Sequence, residues 1–441
     1  MKKVLIIAII ISAWVSSCKK VDKPAFDKSA DERLTETLAA YQTQLSGAAN
    51  GWKGFLTTDS GRGTTYSFYF KFNDANRVTM LSDFDSASAV TPKESSYRLK
   101  ALQQPSLLFD TYSYIHVLAD PDETVNGGTR GAGLVSDFEF YFDSSSADTI
   151  KLVGRIFASK MMLVKATQAE ETAYNGGGLA AGLNINKIVT YFKRLTIGSD
   201  VYDVRINTIT RQFVFGWFDA NGSYQTFTTG FYFAAGEILF TNPVVNGSQL
   251  ITGFSNITWS QATQKINLTV NNSSATMTGI VVPLKVDVGA PRRWWQYAID
   301  NGNNPWTSLN GFHVNGKEDA FGIKSLVSGD FRYAYLLYWP TPGPPINSTT
   351  NDFFGPIFTD VTGNAQTIIY GSAADIPTFT NDGRVLFSEL GTYGQYPTSG
   401  PAALTADQLY IPNGYYLVQT SAVTYDMVSA ADGKAWISWE F

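Results

Sequence analysis

Chemistry in proteins falls most often to histidine, cysteine and paired carboxylates. This 441-residue sequence holds two histidines, His116 and His313, and one cysteine, Cys18. A histidine-based metal centre would need both histidines plus carboxylates, and neither sits in an H-E-x-x-H run or any other paired spacing. His116 lies in the alternating run Tyr112 to Val117, which predicts a half-buried strand histidine with a packing role. No serine sits in a nucleophile elbow. Glycoside hydrolysis asks only for two carboxylates across a cleft, and Glu139, Glu237, Glu318 and Glu389 are the candidates. Glu139, however, alternates with Phe138 and Phe140 as on a solvated strand face, and spacing along a chain does not reveal pairs across a cleft. The glycines Gly127, Gly128 and Gly133, and those from Gly176 to Gly182, lack the Lys-Ser/Thr that completes a phosphate loop. Asp219-Ala220-Asn221-Gly222 opens like a calcium loop but has no closing glutamate, so a hairpin turn is expected there. The expectation is a protein without catalytic residues, metal or cofactor.

What remains is an aromatic surplus. Trp294, Trp295, Trp306, Tyr338 and Trp339 form the densest group and are the candidate ligand-binding residues. A flat ring covers the C–H face of a sugar, while neighbouring Asn, Asp and Gln bond its hydroxyls. Trp294 and Trp295 fall on a predicted short helix, where packing into a lobe interface is the commoner fate. Trp339 precedes the stiff run Pro340-Thr341-Pro342-Gly343-Pro344-Pro345, a loop of the kind that carries binding residues.

Cys18 has a different role. Lys2 and Lys3 give a positive start, and Val4 to Val15 form an apolar run broken only by Ser12. That run is shorter than the about 20 residues a membrane-spanning helix needs, so residues 1–17 read as a signal peptide. It ends in Val15-Ser16-Ser17-Cys18, which resembles the bacterial lipobox, and the resemblance implies cleavage before Cys18 and a lipid on its thiol. Several acyl chains make such a tether durable where one would not. With no other cysteine, the exported part must hold together by core packing alone. Loss of Lys2 and Lys3 brings the 33 basic residues to 31 against 38 acidic ones, a net charge of −7. Nucleic acid and anionic lipid surfaces are therefore not expected partners.

Aromatics are 14% and charged residues only 16% of the chain, against about 25% charged in an average soluble protein. The difference is filled by Asn, Thr, Ser and Gly, which is strand and turn chemistry. After a short tether, Ser29 and Glu32 match a capping box, and Leu34, Leu38, Tyr41 and Leu45 share a helix face that Gly47 ends. From Asn50 the period becomes two. Phe68 to Phe72 turns through Asn73 to Asn76 into Val78 to Met80, and Phe138 to Phe142 leads to Ile150 to Leu152. Phe213 to Phe218 turns at Ala220-Asn221-Gly222, Phe231 to Phe233 leads to Ile238 to Phe240, and Phe379 leads to Val385 to Phe387. These predict antiparallel hairpins. Two stretches break the pattern. Thr167 and Glu170 form a second capping box, after which Ile185, Ile188, Val189, Phe192 and Leu195 have helical spacing; Pro291 to Asp300 predicts another helix. Tyr41 to Phe55 and Tyr297 to Phe312 share a helix end, an Asn-containing turn and a Trp, which suggests a duplicated unit. The expected fold is mainly β, with antiparallel meander and hairpin sheets, as sandwich or lipocalin-like barrels, in two or three lobes with a few short helices. The expected organisation is signal peptide 1–17, lipidated tether 18–28, an N-terminal helix and β-meander lobe over 29–175, a middle β lobe over 176–290 and a C-terminal β lobe over 291–441.

The stretches ERLTETLAAYQTQLSGAANGWKG (Glu32 to Gly54), FKFNDANRVTM (Phe70 to Met80) and MMLVKAT (Met161 to Thr167) resemble a family of uncharacterised lipoproteins of Bacteroides-type bacteria, a domain-of-unknown-function family. The resemblance brings no catalytic residue with it. It implies a neighbourhood, because similar proteins are encoded beside SusC/SusD-like nutrient uptake systems, a TonB-dependent transporter with a SusD-like lipoprotein. It also implies O-glycosylation at Asp-Ser/Thr followed by a small or aliphatic residue, which Ser86 in Asp85-Ser86-Ala87 and Thr149 in Asp148-Thr149-Ile150 fit. Surface lipoproteins of such bacteria carry acidic residues after the cysteine, whereas Lys19-Lys20 follows Cys18 here, so the periplasmic face and the cell surface of the outer membrane both stay open. The functional expectation is non-catalytic binding of a glycan or other nutrient. The alternative is a structural or accessory subunit that docks on the transporter or its SusD-like partner.

Overall fold

The computed structural model describes residues 28–58, 63–341, 351–363 and 365–441. Cys18, the signal before it and the loop Pro342-Gly343-Pro344-Pro345 lie outside them. The first element is α1 (Ala30–Ser46), closed at its start by the predicted capping box: Glu32 N–H donates to Ser29 Oγ at 3.2 Å and Ser29 N–H to Glu32 Oε2 at 2.9 Å. Such a cap is worth about 1 kcal/mol. Leu45 is the helix's buried residue, and its carbonyl accepts the indole N–H of Trp52 at 2.9 Å, which pins α1 to the first strand.

That strand, β1 (Trp52–Thr57), opens a closed antiparallel barrel. It continues through β2 (Thr65–Phe72), β3 (Arg77–Ser82), β4 (Lys93–Ala101), β5 (Pro105–Phe109), β6 (Glu139–Ser145), β7 (Thr149–Gly154) and β8 (Lys160–Lys165), which returns to pair with β1. Alternation sorts the faces: Trp52 and Leu56 are buried inside with Phe68, Phe70, Tyr97, Phe109 and Phe140, so side chains fill the barrel. Tyr41 of α1 stacks on Phe142 with ring centroids 3.7 Å apart. The β5 to β6 connection carries two single-turn helices, α2 (Tyr114–Val117) and α3 (Glu123–Asn126). His116 therefore sits on a helical turn and not on the strand its alternation predicts. The reason is local: Ser113 N–H donates to His116 Nδ1 at 3.1 Å, and Nε2 pairs with the Phe109 carbonyl at 3.1 Å. Both ring nitrogens are used structurally in the neutral tautomer this network implies, and burial lowers the imidazole's pKa.

Thr167 and Glu170 cap α4 (Gln168–Asn175), followed by α5 (Gly178–Gly182) and a 3-10 turn, Leu183–Lys187. The helical spacing read from Ile185 to Leu195 does not make one helix. Phe192 and Leu195 belong to β9 (Phe192–Ile197), where Leu195 and Ile197 point inward and Arg194 and Thr196 outward. This strand closes a second barrel with β10 (Asp200–Asn207), β11 (Gln212–Phe218), β12 (Tyr224–Ala234), β13 (Glu237–Asn246), β14 (Gln249–Ser260), β15 (Lys265–Val270) and β16 (Ser273–Ile280), pairing Leu195 with both Tyr202 and Met277.

The third lobe starts at α6 (Ala290–Asp300), with Pro291 in its first turn. Among the described residues its 13 strands, all antiparallel, run β17 (Trp306–Ser308), β18 (His313–Val314), β19 (Val327–Ser328), β20 (Phe331–Trp339), β21 (Asp352–Thr359), β22 (Gln366–Thr367), β23 (Gly371–Ala374), β24 (Thr378–Phe379), β25 (Arg384–Leu386), β26 (Glu389–Tyr393), β27 (Tyr415–Gln419), β28 (Thr424–Ser429) and β29 (Ala435–Glu440). They form a half-barrel whose main path ends on β24 and β26, with α7 (Pro401–Leu409) packed on it. Trp306 donates its indole N–H to the Trp294 carbonyl of α6 at 2.9 Å, the same device that joins Trp52 to α1. No helix among the described residues is long and apolar enough to cross a membrane.

The two barrels are joined by a buried ion pair. Arg211, in the β10–β11 turn with φ of 50°, donates to Asp83 Oδ2 at 2.5 Å and Oδ1 at 3.0 Å, and to the Thr65 carbonyl at 3.0 Å. Its guanidinium also lies over the Tyr66 ring, 4.2 Å from the centroid. Asp83 additionally accepts the Ser67 N–H at 3.0 Å. Around the pair, Tyr69, Leu81, Ala89 and Ala166 of the first barrel's side join the second barrel's core. Stripping one partner from a buried pair costs about 3–5 kcal/mol because the other charge is stranded, whereas apolar replacement of both is close to neutral. Asp83→Ala and Arg211→Ala should each lower stability by about that amount in denaturant unfolding. The double variant Asp83→Leu/Arg211→Met should recover most of the loss; additive losses would show that the two charges act independently.

Candidate functional site

Between the outer face of β9–β12, the linker 281–289 and β27 lies a cleft of about 540 Å³. Its walls follow from strand alternation: on β10, Tyr202 and Val204 are buried in the barrel while Asp203 and Arg205 alternate to the outer face. Opposite Asp203 on β11 is Gly216, and a Cβ there would collide with the ring and hydroxyl of Tyr224, so the missing side chain is what lets Tyr224 lie across the sheet. The linker brings Lys285 over the Tyr224 ring, 5.4 Å from its centroid. Tyr416, Leu417 and Gln419 of β27 supply the far wall.

The carboxylates here are closed. Asp203 accepts Arg194 Nε at 2.8 Å on one oxygen and the Leu284 backbone N–H on the other. Burial raises its pKa, against the pull of those bonds. Asp287 is held by both terminal nitrogens of Arg293, at 3.1 and 2.5 Å; that contact holds its carboxyl below the usual range. The donors are open. Among the described residues Arg205 has one hydrogen bond, to the Tyr191 hydroxyl at 3.4 Å, and that hydroxyl itself donates to Asp426 Oδ2 at 2.5 Å. Neither Lys285 Nζ nor the Tyr224 hydroxyl has a hydrogen-bonding partner among the described residues. Burial, and then the Asp203 charge, raise the Tyr224 pKa, so the phenol stays protonated and able to donate. The cleft walls thus set open hydrogen-bond donors beside carboxylates that are already satisfied. Beyond the cleft, Tyr191 meets Trp436 edge-on at 5.5 Å and His313 stacks on Trp436 at 3.7 Å. Burial pushes the His313 imidazole down to about 4.

The aromatic group picked out in the sequence is brought together, but as interior. Trp294, Trp306 and Tyr338 are fully buried and Trp295 is 9% exposed, so these rings present no platform to a ligand. Their organiser is Asp352, which sequence reasoning missed. It is fully buried and accepts the Trp295 indole N–H at 2.7 Å, the Tyr338 hydroxyl at 2.6 Å and the Thr341 N–H at 3.0 Å. Trp339, the next residue on β20, points to the opposite face of the sheet. It is half-buried against Leu337, Phe353 and Ile357, and its indole donates to the Asn303 carbonyl at 2.6 Å. Glu139, Glu237, Glu318 and Glu389 line neither this cleft nor the groove of about 450 Å³ on the first barrel's outer face. Ser86 is exposed in the loop after β3, and Thr149 is half-buried at the start of β7. Among the described residues no three His, Cys, Asp or Glu side chains are grouped to hold a metal. The cleft residues were nonetheless signalled by Gly216 inside the aromatic run Phe213 to Phe218 and by the charges Asp203 and Arg205 alternating with Tyr202, Val204 and Ile206.

Burial pushes the Asp352 carboxyl up to about 6, above the about 3.9 of an unfolded aspartate. The folded state therefore holds this proton more tightly. The stability it contributes is full below pH about 4 and is lost as pH rises through about 6. Asp352→Asn removes the titration. In thermal melts the wild type should lose stability relative to the variant between pH 4 and 7, whereas a constant difference would mean that Asp352 does not titrate in that window.

Residues 22–261 match the family model of a domain of unknown function, DUF4302, a span running from before α1 to the end of β14. None of the curated proteins matches. Among solved structures, the chain aligns with a Helicobacter pylori beta clamp bound to a DNA ligase peptide at 6% identity, covering 93% of this chain and 97% of that one, TM-score 0.15. It aligns with a DNA polymerase III subunit beta sliding clamp from Bartonella birtlesii at 7% identity, covering 91% and 97%, TM-score 0.13. A third alignment is with transferrin binding protein B of Neisseria meningitidis serogroup B at 11% identity, covering 85% and 65%, TM-score 0.12. Superpositions this slight identify no shared fold. The family match takes in the first barrel and most of the second, more than half of the sequence, and the chain belongs to the DUF4302 family.

Proposed function

We propose that this protein is a lipoprotein anchored to the outer membrane through Cys18, that it binds a glycan or other small polar nutrient without transforming it, and that it works beside a TonB-dependent uptake system with a SusD-like partner. The ligand site is the cleft between the second barrel and the third lobe. The observation that carries this reading is the imbalance of the cleft walls: carboxylates already satisfied by Arg194, Arg293 and backbone N–H groups, and donors on Arg205, Lys285 and Tyr224 with little or nothing to bond. Such donors are what a ligand's oxygens would meet. They stand on strands and a strapped linker, which hold geometry better than free loops. For the anchor, the support is the Val15-Ser16-Ser17-Cys18 run and the short tether before α1. Ser86, exposed after β3, is the better placed of the two glycan acceptors.

A second reading, an accessory subunit docking on the transporter or its partner lipoprotein, is favoured by β26. Among the described residues this strand pairs with β23 alone, and it exposes Leu390 and Tyr393. Open strand edges recruit extended partner segments.

A thermal-shift screen of the purified protein against a glycan panel separates the two. A ligand at a hundredfold excess over Kd stabilises the folded state by about 2.7 kcal/mol, so a rise in Tm should appear, vanish in Tyr224→Ala and survive in Trp339→Ala. No shift for any glycan, with capture of the transporter or SusD-like protein that Leu390→Lys abolishes, would favour the docking reading.

A further inference from the structure

We infer that the ligand of the inter-lobe cleft is a saccharide bearing an anionic group, and that Arg205 and Lys285 read its charge. The inference rests on the cleft being the binding site. The whole chain is acidic, with 38 acidic residues against 33 basic ones, yet the charges around this cleft sum the other way. Arg194 with Asp203 and Arg293 with Asp287 are closed ion pairs at 2.8 and 2.5 Å. Asp426 has each oxygen occupied, by the Tyr191 hydroxyl at 2.5 Å and the Ser438 hydroxyl at 2.6 Å, and it forms no ion pair within 4 Å among the described residues. Arg205 and Lys285 likewise form none. Two cations thus face one carboxylate, Asp426, which reaches Arg205 through the bridging Tyr191 hydroxyl and whose oxygens are already hydrogen-bonded.

The two cations differ in what they offer. Lys285 is an exposed point charge on the linker, and among the described residues it contacts the Tyr224 ring. Arg205 is a half-buried planar fork with five donors and a single long contact to Tyr191. A guanidinium in that state matches a carboxylate or another oxyanion through paired, charge-assisted hydrogen bonds. A neutral sugar would displace water from both cations and return no charge, which leaves them poorly compensated. An acidic sugar neutralises them while its hydroxyls meet the Tyr224 phenol, Thr226 and Gln419, which line the same cleft.

The test uses matched probes on the purified chain, with affinities from calorimetry. They are trigalacturonate, its methyl ester (the same shape without the charge), sialyllactose against lactose, and inorganic phosphate alone. An acidic saccharide should bind, and its neutral counterpart should bind about ten- to a hundredfold more weakly, the range expected for one or two charge-assisted hydrogen bonds. Arg205→Gln and Lys285→Gln should each cost about tenfold, Arg205→Lys should restore only part, and added salt should weaken binding. Unchanged melting temperatures would show that the variants are folded. Equal affinity for acid and ester, or binding only of neutral sugars, overturns the inference while the cleft reading stands, provided Tyr224→Ala still abolishes binding. Phosphate binding as tightly as any saccharide would overturn the sugar class. Binding of an acidic saccharide that survives Arg205→Gln/Lys285→Gln but is lost in Lys151→Gln/Lys160→Gln, in the first barrel's outer groove, overturns the inference and the cleft reading together. So does the absence of binding by every probe.

Discussion

Arg211 and Asp83 bury two full charges between two barrels, and most of the architecture makes sense as a consequence. A buried pair of this kind adds little net stability over well-packed apolar residues, but it tolerates few alternative geometries. The guanidinium must meet two carboxylate oxygens, the Thr65 carbonyl and the Tyr66 ring at once. Arg211 closes its hairpin turn with φ of 50°, a conformation that costs a non-glycine residue about 1–3 kcal/mol. The cost is offset by the shared core around it, in which Tyr69 and Leu81 pack with Tyr174, Phe231 and Phe233. The outer side of the first barrel is thus packed into the second barrel's core, while the first barrel's own interior around Trp52 and Phe70 is a separate cluster.

The same hairpin whose tip carries Arg211 also carries the wall of the cleft. Asp203 and Arg205 on β10 and Gly216 on β11 are fixed at one end by the ion pair and at the flank by Leu284 N–H on Asp203 and Tyr191 beside Arg205. Tyr191 then ties this wall to the third lobe through Asp426, Trp436 and its own N–H on the Gly433 carbonyl at 2.7 Å. These anchors hold the cleft wall in one geometry, so a ligand of the proposed kind would lose little entropy to ordering of the protein. The third lobe keeps its own polar centre inside, where Asp352 orders Trp295 and Tyr338. Its aromatic wealth serves that core.

Local grammar was legible and long-range closure was not. Ser29 with Glu32, Thr167 with Glu170, and Pro291 marked helix starts because capping is a matter of a few adjacent residues. Phe68 to Met80 and Phe213 to Tyr224 marked hairpins because a period of two and an Asn or Gly turn are equally local. Whether strands close into a barrel depends on pairs such as Leu195 with Met277, which no window along the chain contains. Tyr112 to Val117 misled for the opposite reason: the Ser113 to His116 hydrogen bond bends into a turn a run that alternates well enough to be a strand. The tryptophans were legible in part: packing was the expected fate of Trp294 and Trp295, which are buried, but abundance does not say which way the other rings point. Tyr338 and Trp339 are neighbours on opposite faces of one sheet, and only the position of Asp352 reveals which face is the interior.

The most direct test of the account is hydrogen exchange of the purified chain with and without a saturating acidic saccharide. Slowed exchange is expected in β10–β12, in the linker 281–289 and in β27 together, with the first barrel unchanged. Protection confined to the first barrel's outer groove around Phe55, Tyr141 and Lys151, or no protection in the linker, would contradict it.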